Sequence, residues 1–379
     1  MFRNIKNGVL IPFVAIFVFA TATLASQVAA AGLPGARSAT SGDVFLGGNY
    51  IELGIRTNGK FGSASNKPAG FFGSPARQPI GMVADFDGFD VGNDSRIDYF
   101  MPGSPEERWV VGYMIGATKT TASNFGTAIQ DLTVGNDLKA KVTGTSGAVD
   151  AELTISFNVN DKFFKTAVRL TNNSGQTLDS LRFMRSFDPD NTVDKGGSYD
   201  TRNEVLYTIA EDGKAAVSAR THSDTDPVFV MTGSRAPILY YSDDVRARAS
   251  TFGFANSDPY APAAYDTPAA KNAAVVADQA ITLAFNFDAV EPGQSVTFNY
   301  YTSLDDRDFD EVITSIQQAE APSPTPTAVP TAPVATTVPT STPSTTPKPQ
   351  TVKYIPLKLV ENTQSTPTPE PSATPAIPT

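Results

Sequence analysis

Between positions 44 and 303 the chain is cut into short runs by Gly, Asn, Asp and Pro, with almost no apolar repeat of helical period inside that interval. The runs are rich in Val, Ile, Thr, Phe and Tyr and tend to alternate in polarity, which is the pattern of strands with one buried side. Candidate strands fall at 44–55, 108–115, 138–143, 151–158, 162–171, 178–187, 204–209, 215–219, 228–232, 238–241, 249–254, 281–287 and 295–303. The turns between them carry suitable chemistry: Asn160-Asp161, the 172–175 stretch, Asp212-Gly213 and Pro292-Gly293 each suit a tight reversal. Sequential neighbours are therefore expected to pair antiparallel. The fold class this predicts is all-β, a large antiparallel β-sandwich.

One helix is expected, at 308–318, where Phe309, Val312, Ile313 and Ile316 recur on one face and Asp308 with Glu311 makes a capping-box pattern. It is expected to close the sandwich domain, 40–320. From 321 to 379 the composition turns to Pro, Thr, Ser and Ala, with too little apolar mass to offset ordering entropy, so a disordered, extended stalk is expected. Its apolar and basic island at 354–360 reads either as a short docking motif or as a less biased piece of linker.

The first 31 residues read as a signal peptide: Arg3 and Lys6, an apolar run, then Ala29-Ala30-Ala31 as a cleavage site. The chain is expected to be secreted, extracellular or at the cell surface, and no later stretch is apolar enough to span a membrane. Net charge is −10, and cleavage removes two basic and no acidic residues, so the exported part is more acidic still. Such a balance argues against nucleic acid as partner, because that needs clustered positive charge. Cysteine is absent, which excludes disulfides, thiolate metal sites and a cysteine nucleophile together. Stability must then come from a large core, which about 280 residues can supply.

The stretch 181–201 draws attention to chemistry. Alternation places Leu181, Phe183, Arg185 and Phe187 on one face, so an arginine stands among core residues, and then Asp188, Asp190, Asn191, Asp194 and Asp200 crowd a loop turned by Pro189 and Gly196-Gly197. A second acidic cluster comprises Asp85, Asp87 and Asp90 around Gly88. Alternate carboxylates on a bent backbone suit Ca²⁺, although Arg96 stands at the twelfth position where an EF-hand needs Glu. Candidate metal ligands are Asp85, Asp87, Asp90 and Asp194, with Ca²⁺ the one cofactor they suit; the plain alternative is Asp and Asn side chains capping turn amides.

The segment 99–109 sets Glu106, Glu107 and Arg108 beside the only tryptophan, Trp109. An aromatic face stacks on sugar rings, and paired carboxylates can cleave a glycosidic bond, so Glu106 or Glu107 with Asp188 or Asp190 are the candidate catalytic residues. The candidate ligand-binding set is Trp109, Arg185, Asp188 and Asp190. Core burial of Trp109 is the competing reading. His222 is the only histidine and no G-x-S-x-G elbow accompanies it, which argues against a serine triad.

The phrases FFKTAVRLTNNSGQTL from Phe163 and VEPGQSVTF from Val290 resemble the strand, Asn-rich turn and closing Pro-Gly hairpin of the large sandwich shared by galactose mutarotases and related carbohydrate-active domains. That resemblance implies a double-sheet supersandwich. Mutarotase catalysis uses histidines and a glutamate, and with one histidine this chain carries over no epimerase residue. FLGGNYIELG from Phe45, DYFMPGSPEER from Asp98 and RSFDPD from Arg185 are similar to uncharacterised modules of large secreted bacterial surface proteins. This second likeness implies location. The expected function is a non-catalytic surface module holding carbohydrate or an envelope component in a cleft rimmed by the Asp85 and Asp188 loops. A glycan-processing enzyme and a purely structural surface protein are the alternatives.

Overall fold

The computed structural model describes residues 35–321 apart from 76, 90, 93–94 and 210–212. The expected signal peptide, the stalk from 322 onward with its 354–360 island, Asp90 and Asp212 therefore lie outside the described residues. Among the described residues nineteen strands form three sheets, and every pairing between them is antiparallel. The large sheet runs Ala274–Ala277, Thr201–Thr208, Ala215–Thr221, Ile238–Ser242, Ser295–Ser303, Phe163–Asn172, Val149–Asn158, Asp137–Ser146, Ala128–Asp131. Facing it is a five-stranded sheet in the order Ala247–Thr251, Ile281–Asn286, Ser180–Phe187, Glu107–Ile115, Thr118–Ser123. A third sheet, from Arg37–Thr40 to Ile97–Asp98, adds one apolar face to the same core, while Phe45 and Val83 on its other face pack with Phe71, Phe72, Ile80 and Phe89.

The two larger sheets are joined by rings. Phe183 and Phe285 from the five-stranded sheet meet Phe298 of the large sheet at 5.1 and 4.3 Å between centroids, and Phe187 meets Tyr240 at 6.2 Å. Such pairs contribute about 0.5–1.5 kcal/mol each beyond the apolar area they bury. The expected alternation along Ser180–Phe187 holds, since Leu181, Phe183 and Phe187 enter this core. Its other face is covered too, because Met184 packs with Val110, Ala264 and Ala284 under the 252–265 segment.

Three sequence expectations are corrected. The strands on either side of 172–175 and of Pro292-Gly293 do not pair, since Phe163–Asn172 and Ser295–Ser303 belong to the large sheet and Ser180–Phe187 and Ile281–Asn286 to the facing one. The 44–55 run is a hairpin of two strands, Val44–Gly47 and Ile51–Ile55, with the Gly48 amide donating to the Ile51 carbonyl at 2.8 Å. The 228–232 run is the short helix Pro227–Thr232, despite its β-formers. Asp226 accepts from the amides of Val228 and Phe229, Pro227 opens the first turn and Gly233 ends it in the left-handed region, so terminal signals outweigh propensity.

The expected C-terminal helix is Phe309–Glu320, capped by Asp308, whose carboxylate accepts from the Asp310 amide at 2.9 Å. Val312, Ile313 and Ile316 bury against Leu239, Tyr241 and Tyr301 on the outer face of the large sheet. Among the described residues no helix is long and apolar enough to cross a membrane.

Candidate functional site

Strand register builds the site. In the five-stranded sheet Phe187 stands opposite Glu107 on one side and Ile281 on the other, and Ile281 stands opposite Thr251. The same end of the sheet thus collects four segments: those entering at Glu107 and Ile281, and those leaving from Phe187 and Thr251. Gly103 and Ser104 precede Glu107, Asp278 precedes Ile281, Asp188 and Asp190 come after Phe187, and Phe254 comes after Thr251. At the edge of the large sheet Thr201 pairs with Ala277, which adds Tyr199 to the group. All seven residues line one cavity of about 240 Å³.

Backbone bonds fix the acidic loop. The Asp188 amide donates to the Glu106 carbonyl at 2.8 Å, and the Asp190 amide to the Tyr99 carbonyl at 2.7 Å. Asn191 donates to the carbonyls of Ala219 and Ala236, and Thr192 donates to the Asp226 carboxylate at 2.6 Å. Gly196, at φ 88°, then closes a single 3₁₀ turn. Gly103 also has positive φ, 72°, and an added Cβ there would stand 2.7 Å from the Tyr199 ring and 3.3 Å from Asp190 Oδ2. Only glycine lets that turn approach the carboxylate and the ring together.

Asp188, Asp190 and Asp278 each offer an oxygen within 4.8 Å of the others. Asp188 and Asp190 are each 2% exposed, whereas Asp278 reaches solvent. Burial, then Asp278 and Glu106, push the Asp188 carboxyl up to about 7. Burial, then Asp188 and Asp278, push Asp190 up to about 8 against the pull of Arg77. Asp98, beneath them, is raised to about 7 by burial even though it accepts from the amides of Gly81, Phe100 and Met101. The carboxylates resist ionising together because they share a partly dry site.

Other expected site residues lie elsewhere. Trp109 and Arg185, expected at a ligand surface, are fully buried core residues. The Trp109 indole donates to the Asn58 carbonyl at 3.0 Å and packs on Phe125 and Phe183, leaving no face for a sugar. Arg185 forms a buried ion pair with Glu107, whose other oxygen accepts from the Phe61 amide at 2.8 Å, which removes Glu107 from the pocket. Glu106 is partly exposed, pairs with Arg108, and acts on Asp188 by charge.

The expected common rim of the two acidic loops does not form in any described cavity. Asp85 is buried and accepts from Ser95 Oγ at 2.9 Å, and Asp87 lines a different cavity with Phe86, Ser95, Thr232 and Asp306. Asp194, half-buried, accepts from the Asp98 amide at 3.0 Å and does not line the Asp188–Asp190 cavity. His222 is exposed, with its ring against the Asp200 carbonyl. Reading the sequence missed Asp278, Tyr199 and Phe254. Their signal exists only in the register that sets strand ends side by side.

Fold and site together define an antiparallel sandwich with an acidic pocket, rimmed by aromatic side chains, at one end of its five-stranded sheet. No family model matches the chain, and no curated protein matches it. Among solved structures it is similar to a bacterial glucoamylase complexed with acarbose, at 10% identity and a TM-score of 0.41, over 75% of this chain and 35% of that one. It is also similar to the GH36 α-galactosidase AgaB of Geobacillus stearothermophilus, at 9% identity and a TM-score of 0.35, over 72% and 41%. A third is a TPR-domain containing protein of Parabacteroides distasonis, at 10% identity and a TM-score of 0.35, over 71% and 48%. The chain thus spans less than half the length of each.

Proposed function

We propose that this chain is a non-catalytic, exported surface module that binds carbohydrate or a polyhydroxylated envelope component in the Asp188–Asp190–Asp278 pocket. The observation that carries this reading is the pairing of solvent-facing rings with carboxylates around one cavity. Tyr199 is 48% exposed and Phe254 37%, whereas the other described aromatics are buried or half-buried. A sugar presents an apolar face to such rings and hydroxyls to the carboxylates, which matches the pocket's two kinds of wall. The N-terminal apolar run and the Pro/Thr-rich tail support export and display away from a surface.

The enzyme reading is weaker on geometry. Glycosidic cleavage needs two carboxyl groups about 5–5.5 Å apart for retention or about 6.5–9.5 Å apart for inversion, one on each side of the bond. Here each of three acids offers an oxygen within 4.8 Å of the others, and Asp188 and Asp190 come from one turn rather than from opposite walls. Such crowding suits sharing a proton or an ion better than flanking a substrate bond. The test is a glycan-array and pull-down measurement on the full chain with Tyr199→Ala and Phe254→Ala. Binding that falls in both variants at unchanged melting temperature supports the reading; binding to no glycan or envelope polymer by the unaltered chain removes it.

A further inference from the structure

The three carboxylates are short of hydrogen-bond donors. Asp188 Oδ1 and Asp190 Oδ1 are buried and accept no hydrogen bond from any described residue, although both side chains line the cavity. A buried acceptor without a partner costs about 1–3 kcal/mol, and more when it is charged. Some buried carboxylates of the fold are fully supplied: Glu52 accepts from the Phe72 and Gly73 amides and from Arg37, and Asp43 from the Ala64 and Ser65 amides. What sets Asp188 and Asp190 apart is that their orphaned oxygens belong to side chains lining one cavity and grouped with a third acid, Asp278.

We propose that Asp188, Asp190 and Asp278 hold one Ca²⁺ ion. A hard divalent cation takes six to eight oxygens at about 2.3–2.6 Å, so ligands on opposite sides of the ion stand about 4.8 Å apart. The three oxygens here fit inside that span without any strand moving. Water and the ligand's own hydroxyls complete the shell through the open side, where Asp278 meets solvent. The acids that oppose each other across this pocket then have a counter-ion in place of mutual repulsion, and Glu106 adds further negative potential from the neighbouring loop. The site differs from the set Asp85, Asp87, Asp90 and Asp194 from which calcium binding was expected: its ligands come from two segments about ninety residues apart, joined only by strand register.

The cation site lies in the proposed carbohydrate pocket and deepens that reading, so the test uses the metal alone. Metal-stripped full chain is titrated with CaCl₂ at neutral pH by calorimetry, alongside Asp278→Asn, Asp190→Asn and Asp266→Asn. Asp278 is exposed, so its variant keeps the fold; Asp266, paired with Arg182 on the outer face, is the control. The expected result is one Ca²⁺ per chain with Kd on the order of 10⁻⁴ to 10⁻³ M, weakened at least about tenfold by Asp278→Asn and Asp190→Asn but not by Asp266→Asn. No heat up to ~10 mM Ca²⁺, well above that range, or equal binding by Asp278→Asn, overturns the site. Glycan retention that survives chelator removes the ion and leaves the carbohydrate reading standing. Calcium binding without glycan retention does the reverse.

Discussion

Arg185 and Glu107 form an ion pair in which neither side chain reaches solvent. The guanidinium lies 4.6 Å over the Phe61 ring, with Tyr240 and Tyr300 beside it. Burial pushes the Glu107 carboxyl up and Arg185 pulls it back; burial would lower Arg185, but Glu107 together with Tyr300 and Tyr240 outweighs it and holds the guanidinium charged. Removing one partner leaves an uncompensated charge in an aromatic core. Arg185→Met should therefore cost about 3–5 kcal/mol in urea unfolding, and Arg185→Met with Glu107→Leu should recover most of it. A single variant as stable as the parent means the pair is not ionised in the fold.

The acid pocket sets a pH dependence with a definite sign. An unfolded aspartate titrates near ~3.9, whereas Asp98 and Asp188 are raised to about 7 and Asp190 to about 8. The folded chain then binds more protons than the unfolded one between those values, so stability is fullest below pH ~4 for these groups and is lost as pH climbs through 7 to 8. In chelator the melting temperature should fall over that window, and Asp190→Asn should flatten the slope. A profile that rises from pH 5 to 8 in both proteins contradicts the crowding of these carboxylates.

Gly103 is a sensitive position on the pocket wall. Alanine there takes a left-handed backbone that costs roughly 1–2 kcal/mol for an L-residue, and its Cβ presses on Tyr199. Gly103→Ala should lower the melting temperature by several degrees and weaken carbohydrate retention more than Phe254→Ala does, because it moves a ring and a carboxylate together. Retention equal to the parent's shows that Tyr199 takes no part.

Asp226 ties the short helix to the acidic loop: one oxygen caps Val228 and Phe229, the other accepts from Thr192. Asp226→Ala should cost about 1–2 kcal/mol, at the upper end for a helix cap, since a loop anchor goes with it. Hydrogen exchange should show faster opening at 190–197 as well as at 228–233. Protection lost only in the helix limits its role to capping.

Much of this architecture was legible in the text of the chain. Asp308 with Ile313 and Ile316 marked the closing helix, and turn residues marked the pairs Val149–Asn158 with Phe163–Asn172 and Thr201–Thr208 with Ala215–Thr221, because these signals are local. The turns at 172–175 and Pro292-Gly293 instead carry the chain from one sheet to another, which a turn signal does not distinguish. Asp188 and Asp190 were legible as a site because they come directly after a strand that ends on a charged turn. Trp109 and Arg185 misled as ligand contacts because residue type was weighed above position: alternation already sets Arg185 among core residues, and core burial of Trp109 is the competing reading. Asp278 was invisible for a different reason: its partner loop lies about ninety residues upstream, and only the pairing of Phe187 with Ile281 sets the two side by side.

That pairing also fixes when the pocket can exist. Its walls are drawn from five separate stretches between Gly103 and Asp278, and none of them approaches another until the central strands have docked in register. Contacts of such long sequence separation form late, after loop-closure entropy has been overcome. On the proposed function, a half-assembled chain would have no grip on carbohydrate, and its capture would report that the whole sandwich has zipped shut.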